Sequence, residues 1–81
     1  MSIKQVKLPQ HGASMTDADM VEWCVQVGDH IEAGQTLCRV AAAKAEMDLE
    51  SPYTGTIVTL DAEVDDNIEV GAVIATIEVA D

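Results

Sequence analysis

The side chains able to do chemistry are few, and all but one are poorly placed for it. His11 and His30 are the two imidazoles, Cys24 and Cys38 the two thiols. Their spacings match no zinc-binding pattern. Ser14 and Ser51 lie in loop-like segments without the glycine elbow that raises a serine nucleophile. No glycine-rich phosphate cradle is present. The fifteen acidic residues read as a solvated face rather than as an acid–base pair. The exception is Lys44, in RVAAAKAEMDLESPYTG. The other two lysines, Lys4 and Lys7, stand in the first segment of the chain. Lys44 is flanked by the small Ala43 and Ala45, so its ammonium is sterically accessible and nothing bulky or basic competes with it. An exposed lysine is mostly protonated at neutral pH. The chemistry open to it is therefore attachment of a group that another enzyme has activated.

The elements that must position Lys44 are short strands. Ile3, Val6 and Leu8 form a β-prone start ending at Pro9. QHGASMTDAD reads as a loop. In MVEWCVQV the residues Val21, Trp23, Val25 and Val27 alternate, which predicts a strand with those four on one face. Gly28, Asp29 and Gly34 mark turns. TLCRVAA, EMDLES, TIVTL, NIEV and VIATIEV are further strand candidates, with SPYTG as a turn punctuated by Pro52 and Gly55. AAAKAEMDLE is rich in helix formers. Met47 and Leu49 alternate with Glu46, Asp48 and Glu50, however, so strand–turn–strand is expected, with Lys44 at a hairpin tip in water. Many short strands separated by turns predict an all-β sandwich or barrel.

A shift of 37 residues lays VQVGDHIEAGQTLCRV over AEVDDNIEVGAVIATI. Val27 meets Val64, Asp29 meets Asp66, Ile31 meets Ile68, Glu32 meets Glu69 and Gly34 meets Gly71. Val21 over Val58 extends the match upstream. A duplicated unit with pseudo-two-fold symmetry follows.

The 81 residues suit one domain, spanning 1–81, and the aromatic share is only Trp23 and Tyr53, so the core must be aliphatic. A net charge of −11 disfavours nucleic acid and anionic membranes. No apolar run approaches a membrane span. The start lacks a signal-peptide core, and two cysteines without CxxC spacing suit a reducing compartment. A cytoplasmic location is expected, or the mitochondrial matrix in a eukaryote.

Over nearly its whole length, from VKLPQHGASMT to VGAVIATIEV, the chain resembles a lipoyl domain of the 2-oxo acid dehydrogenase multienzyme complexes, as found in the acyltransferase component. The resemblance is carried by Pro9, Gly12, Ser14, Met15, Thr16, Trp23, Gly28–Asp29, Gly34 and Leu37. In the second half Lys44, Ala45, Ser51, Pro52, Gly55, Val70–Gly71 and Ile74–Ala75 carry it. The sequence departs from the family at Ala41-Ala42-Ala43, where Glu-Thr-Asp is usual.

The resemblance implies a flattened barrel of two four-stranded antiparallel sheets. It implies that lipoate is amide-linked to Lys44, with Ala43 and Ala45 shaping the hairpin. A loop of His11, Gly12, Ala13, Ser14, Met15 and Thr16 would lie near the lysine and serve partner recognition. The domain itself would be a non-catalytic, monomeric carrier. Its arm would pass acyl groups and electrons between a thiamine-dependent decarboxylase, an acyltransferase core and dihydrolipoyl dehydrogenase, after loading by a lipoate ligase or lipoyl transferase. Two alternatives stand beside it. A biotin carboxyl carrier domain shares the fold, but carries Met on both sides of its lysine, unlike Ala43 and Ala45. An unmodified lipoyl-like module for protein interaction is the other, and the alanines before Lys44 favour it.

Overall fold

Runs of β-prone residues bounded by turns become eight strands in the computed structural model, which describes residues 2–10, 15–42 and 45–80. They are β1 (Ser2–Lys7), β2 (Asp17–Trp23), β3 (His30–Ile31), β4 (Thr36–Ala42), β5 (Ala45–Glu50), β6 (Gly55–Leu60), β7 (Asn67–Glu69) and β8 (Val73–Val79). Two four-stranded antiparallel sheets result, ordered β1-β8-β6-β3 and β5-β4-β2-β7. This is the all-β, two-sheet architecture expected from the sequence.

Their inner faces meet in an aliphatic core. Leu8, Met20, Ile31, Leu37, Val40, Ile57, Ile74 and Ile77 are its fully buried large side chains. In β5 the alternation holds, with Leu49 buried, Met47 half-buried and Glu46, Asp48 and Glu50 exposed. The helix-prone composition of that segment therefore yields to pairing and burial.

The second half repeats the first by hydrogen bonding as well as by sequence. Gly28 N donates to Ile57 O, and its counterpart Asp65 N donates to Met20 O. Ile57 N donates to Asp29 O, as Met20 N does to Asp66 O. Asp29 Oδ2 accepts from Gln26 N at 2.9 Å, and Asp66 Oδ2 accepts from Glu63 N at 2.9 Å. Asp65 adopts φ 74° where its counterpart Gly28 adopts 93°. Each half thus closes the other's turn.

The face predicted for β2 needs correction. Its buried residues are Ala18 and Met20, while Val21 and Trp23 are half-buried and Val27 is 60% exposed. Pairing with β4 shifts register between Met20 and Glu22. That bulge spends Val21 and changes which side chains point inward. Val27 then lies in a turn. β6 shifts likewise between Ile57 and Thr59, at Val58. Strand β2 also begins at Asp17, inside the segment expected to be loop.

The register separates two poles. Ser2 pairs with Val79 at one. At the other, Asp19 pairs with Ala41, Asp17 pairs with Glu69, Val70 N donates to Thr16 O and Gly71 N donates to Leu8 O. The β4–β5 turn, the start of β2 and the end of β1 therefore share the second pole.

Candidate attachment hairpin

Pairing along β4 and β5 runs Arg39↔Asp48, Val40↔Met47, Ala41↔Glu46 and Ala42↔Ala45. Val40 is fully buried and anchors the hairpin to the core, while Ala45 is exposed. Arg39 Nε donates to Asp48 Oδ1 at 3.1 Å, and its Nη1 lies 3.9 Å from Glu22 Oε1. Asp48, first by its hydrogen bond and then by its charge, holds the guanidinium pKa above its ordinary value. Two positions of the sequence stand between Ala42 and Ala45. These are Ala43 and Lys44, and both lie outside the described residues, as do His11, Gly12, Ala13 and Ser14.

Of the remaining expected site residues, Met15 is buried and Thr16 exposed. Gln10 Nε2 donates to Met15 O at 3.1 Å, tying together the two ends of the 11–14 segment. The Thr16 hydroxyl donates to Asp17 Oδ1 at 3.0 Å. Because β2 leaves Thr16 to pair with β4, the described end of this segment sits on the hairpin's pole.

One arrangement beside the hairpin escaped the sequence reading. Asn67 Nδ2 donates to Asp17 Oδ2 at 2.7 Å and to Asp19 Oδ1 at 2.9 Å. The Asn67 amide, followed by the Thr16 hydroxyl, lowers the Asp17 pKa. Ala41 lies between Asp19 on β2 and Glu46 on β5. The small residues of the hairpin are thus bordered by carboxylates on both neighbouring strands. The alternation of DAD was a visible signal, but only the pairing of β7 with β2 brings Asn67 to it.

The thiols take no part in this site. Cys38 is fully buried, and burial, with lesser contributions from Cys24 and Asp48, pushes its pKa up to about 12. Cys24 is exposed. Among the described residues, no group of three or more His, Cys, Asp or Glu could hold a metal ion.

The family model described as "Biotin-requiring enzyme", the biotin/lipoyl model, matches residues 4–77. The chain is 40% identical over 72 residues to the dihydrolipoyllysine-residue acetyltransferase component of the pyruvate dehydrogenase complex of Corynebacterium glutamicum, covering 89% of this chain and 11% of that protein. It is 33% identical to the lipoamide acyltransferase component of the branched-chain alpha-keto acid dehydrogenase complex of Pseudomonas aeruginosa, covering 98% of this chain and 18% of that protein. The chain thus spans between a tenth and a fifth of the length of these relatives. Among solved structures, the lipoyl domain of the 2-oxoglutarate dehydrogenase complex of Azotobacter vinelandii superposes with a TM-score of 0.74 at 16% identity, covering 91% of this chain and 94% of that one. Kluyveromyces lactis urea carboxylase gives 0.80 at 22% identity, covering 96% of this chain and 6% of that one. At those identities the likeness speaks to the fold. The family match and the acyltransferase relatives go further: the chain belongs to the biotin/lipoyl family of carrier domains.

Proposed function

We propose that this domain is a lipoyl carrier, with lipoate joined to Lys44 Nζ as an amide. The observation that carries the reading is the β4–β5 hairpin. Its last described rung, Ala42↔Ala45, brackets the one lysine of the chain outside β1. The surroundings fit such a group. Ala41, Ala42 and Ala45 bring neither charge nor bulk, so an arm attached between them is free to leave the surface and enter a partner's active site. When bound, lipoate supplies a dithiolane that takes up and releases acyl groups and electrons.

The chain's own residues hold and present. Buried Val40 and Leu49 fix the two strands of the hairpin to the core. Asp17, Asp19 and Glu46 surround it with negative charge, which favours partners whose docking surfaces are basic. Tethering raises the local concentration of the arm at each active site, so weak docking suffices. The partners are a lipoate ligase or lipoyl transferase, a thiamine-dependent decarboxylase, an acyltransferase core and dihydrolipoyl dehydrogenase.

The test is intact-protein mass spectrometry before and after incubation with lipoate ligase, ATP and lipoate. A gain of one lipoyl group, absent in Lys44→Arg, is expected. No gain on folded protein, with a ligase active on a control domain, refutes the reading. A gain only with biotin ligase and biotin assigns the domain to the biotin branch of the family.

A further inference from the structure

The sandwich is open along one side. β1 is the edge of one sheet and β5 the edge of the other. Between them runs a groove of about 290 Å³. Val6 and Leu49, both buried, form its apolar floor, Lys7 and Glu50 stand on opposite rims, and Pro9 and Pro52 also line it. The groove is smaller than most pockets that enclose a drug-sized ligand. Its size suits an alkyl chain with one small ring rather than a nucleotide.

We infer that this groove is a resting site for the dithiolane end of the arm on Lys44, an inference that rests on the lipoyl reading above. Three observations support it. First, β5 leads from the hairpin into the groove. Ala45 is the first residue of β5, and Leu49, on the groove's floor, is four residues on. At a rise of about 3.4 Å per residue that is about 14 Å. A lysine side chain in series with an eight-carbon acid reaches that far. Second, the hairpin, Leu8 and the neighbouring Pro9 share one pole, so the groove is entered from the side on which the arm is attached. Third, the amide-linked arm is neutral. It meets neither the repulsion that an anion would feel from a chain of charge −11 nor the loss of a charge's hydration on contact with Val6 and Leu49.

Covalent attachment makes weak affinity sufficient, because the ring never diffuses away from the groove. The arm then exchanges between a sheltered position along β1 and β5 and an extended one that partners capture.

The test uses the intact domain, lipoylated and verified by mass. Methyl NMR should show the Val6 and Leu49 resonances moving on lipoylation, while those of Ile31, remote from the groove, stay in place. Reduction of the ring by a water-soluble phosphine reads the exposed fraction directly. An arm at rest two-thirds of the time would be reduced about three-fold more slowly than one held in solvent. Lys7→Trp places an aromatic side chain on the exposed rim of a strand, where such residues are well tolerated, and should restore the faster rate. Static Val6 and Leu49 methyls on a mass-verified lipoyl domain, or a rate that Lys7→Trp leaves unchanged, overturn the resting site and leave the carrier reading intact. Absence of any mass gain at Lys44 overturns both.

Discussion

Gly55 opens β6 at a point where the sheet has no room for a side chain. A Cβ built on it meets the carbonyl oxygen of Glu78 at clash distance, the Glu78 carbonyl carbon at 2.9 Å and Ile77 Cγ2 at 2.8 Å. The obstacle is chiefly backbone, so it cannot rotate away. Gly55→Ala must push the start of β6 off β8, loosening the Thr56↔Glu78 rung and the Ile31↔Gly55 rung that holds β3. Overpacking of this kind costs about 1–3 kcal/mol, and the stiffer unfolded chain returns about 0.4–1 kcal/mol only where the native backbone accepts alanine unstrained, which is not the case here. A net loss of about 2 kcal/mol lowers Tm by about 8–16 °C for a domain of this size. Gly28→Ala is the companion experiment. Nothing lies within 4 Å of its added Cβ, but φ is +93°, so its cost of about 1–2 kcal/mol is purely conformational. Far-UV circular dichroism or Trp23 fluorescence follows both. A Gly55→Ala Tm within about 2 °C of the parent would refute the close-approach argument. Lipoylation of either variant, measured well below its Tm, should match the parent, since Gly55 lies at the pole opposite the hairpin.

Asp29→Ala and Asp66→Ala should each cost about 1 kcal/mol in urea unfolding, and by similar amounts, because each removes one equivalent carboxylate-to-amide bond; a strongly unequal pair would contradict the two-fold reading. A thiol reagent should titrate Cys24 alone in native protein and Cys38 only after unfolding. Because the Cys38 pKa rises from 9.0 to about 12 on folding, the folded state retains a proton that the unfolded chain gives up above pH 9. Its contribution to stability is complete below that value and declines as pH rises toward 12, visible as a falling urea midpoint. Asn67→Ala should raise the Asp17 pKa toward its ordinary value, measured by carboxyl NMR, since the amide is the main cause of its lowering. With the opposite sign, the stability linked to Asp17 is present above the unfolded carboxylate pKa and lost as pH falls through the lowered folded one.

Much of the architecture was legible because local signals agreed. Every turn that the 37-residue repeat implied is present, and β4 coincides with TLCRVAA. Several repeat matches lie outside the core, however. Val27 and Val64 are 60% and 51% exposed, and Val21 and Val58 stand at bulges. They match because the halves share turn and bulge geometry, while Ile31 and Ile68 match because both are buried. A bulge reverses strand phase without any marker in composition, so alternation alone misassigned β2. At the site, the expectation for Lys44 rests on its isolation and its small neighbours alone. The Asp17–Asn67–Asp19 arrangement was not, because it joins residues about fifty positions apart.

The pairing of Ser2 with Val79 at the pole away from the hairpin has a mechanical consequence. The domain extends 37 Å along its longest axis. A flexible tether fused at either end of the chain would join the body at the pole away from the hairpin. The body itself then adds its own length to the radius swept by any group on Lys44. In such a fusion the tether, the rigid sandwich and a group on Lys44 would act in series, their reach adding up without conformational change in the sheets.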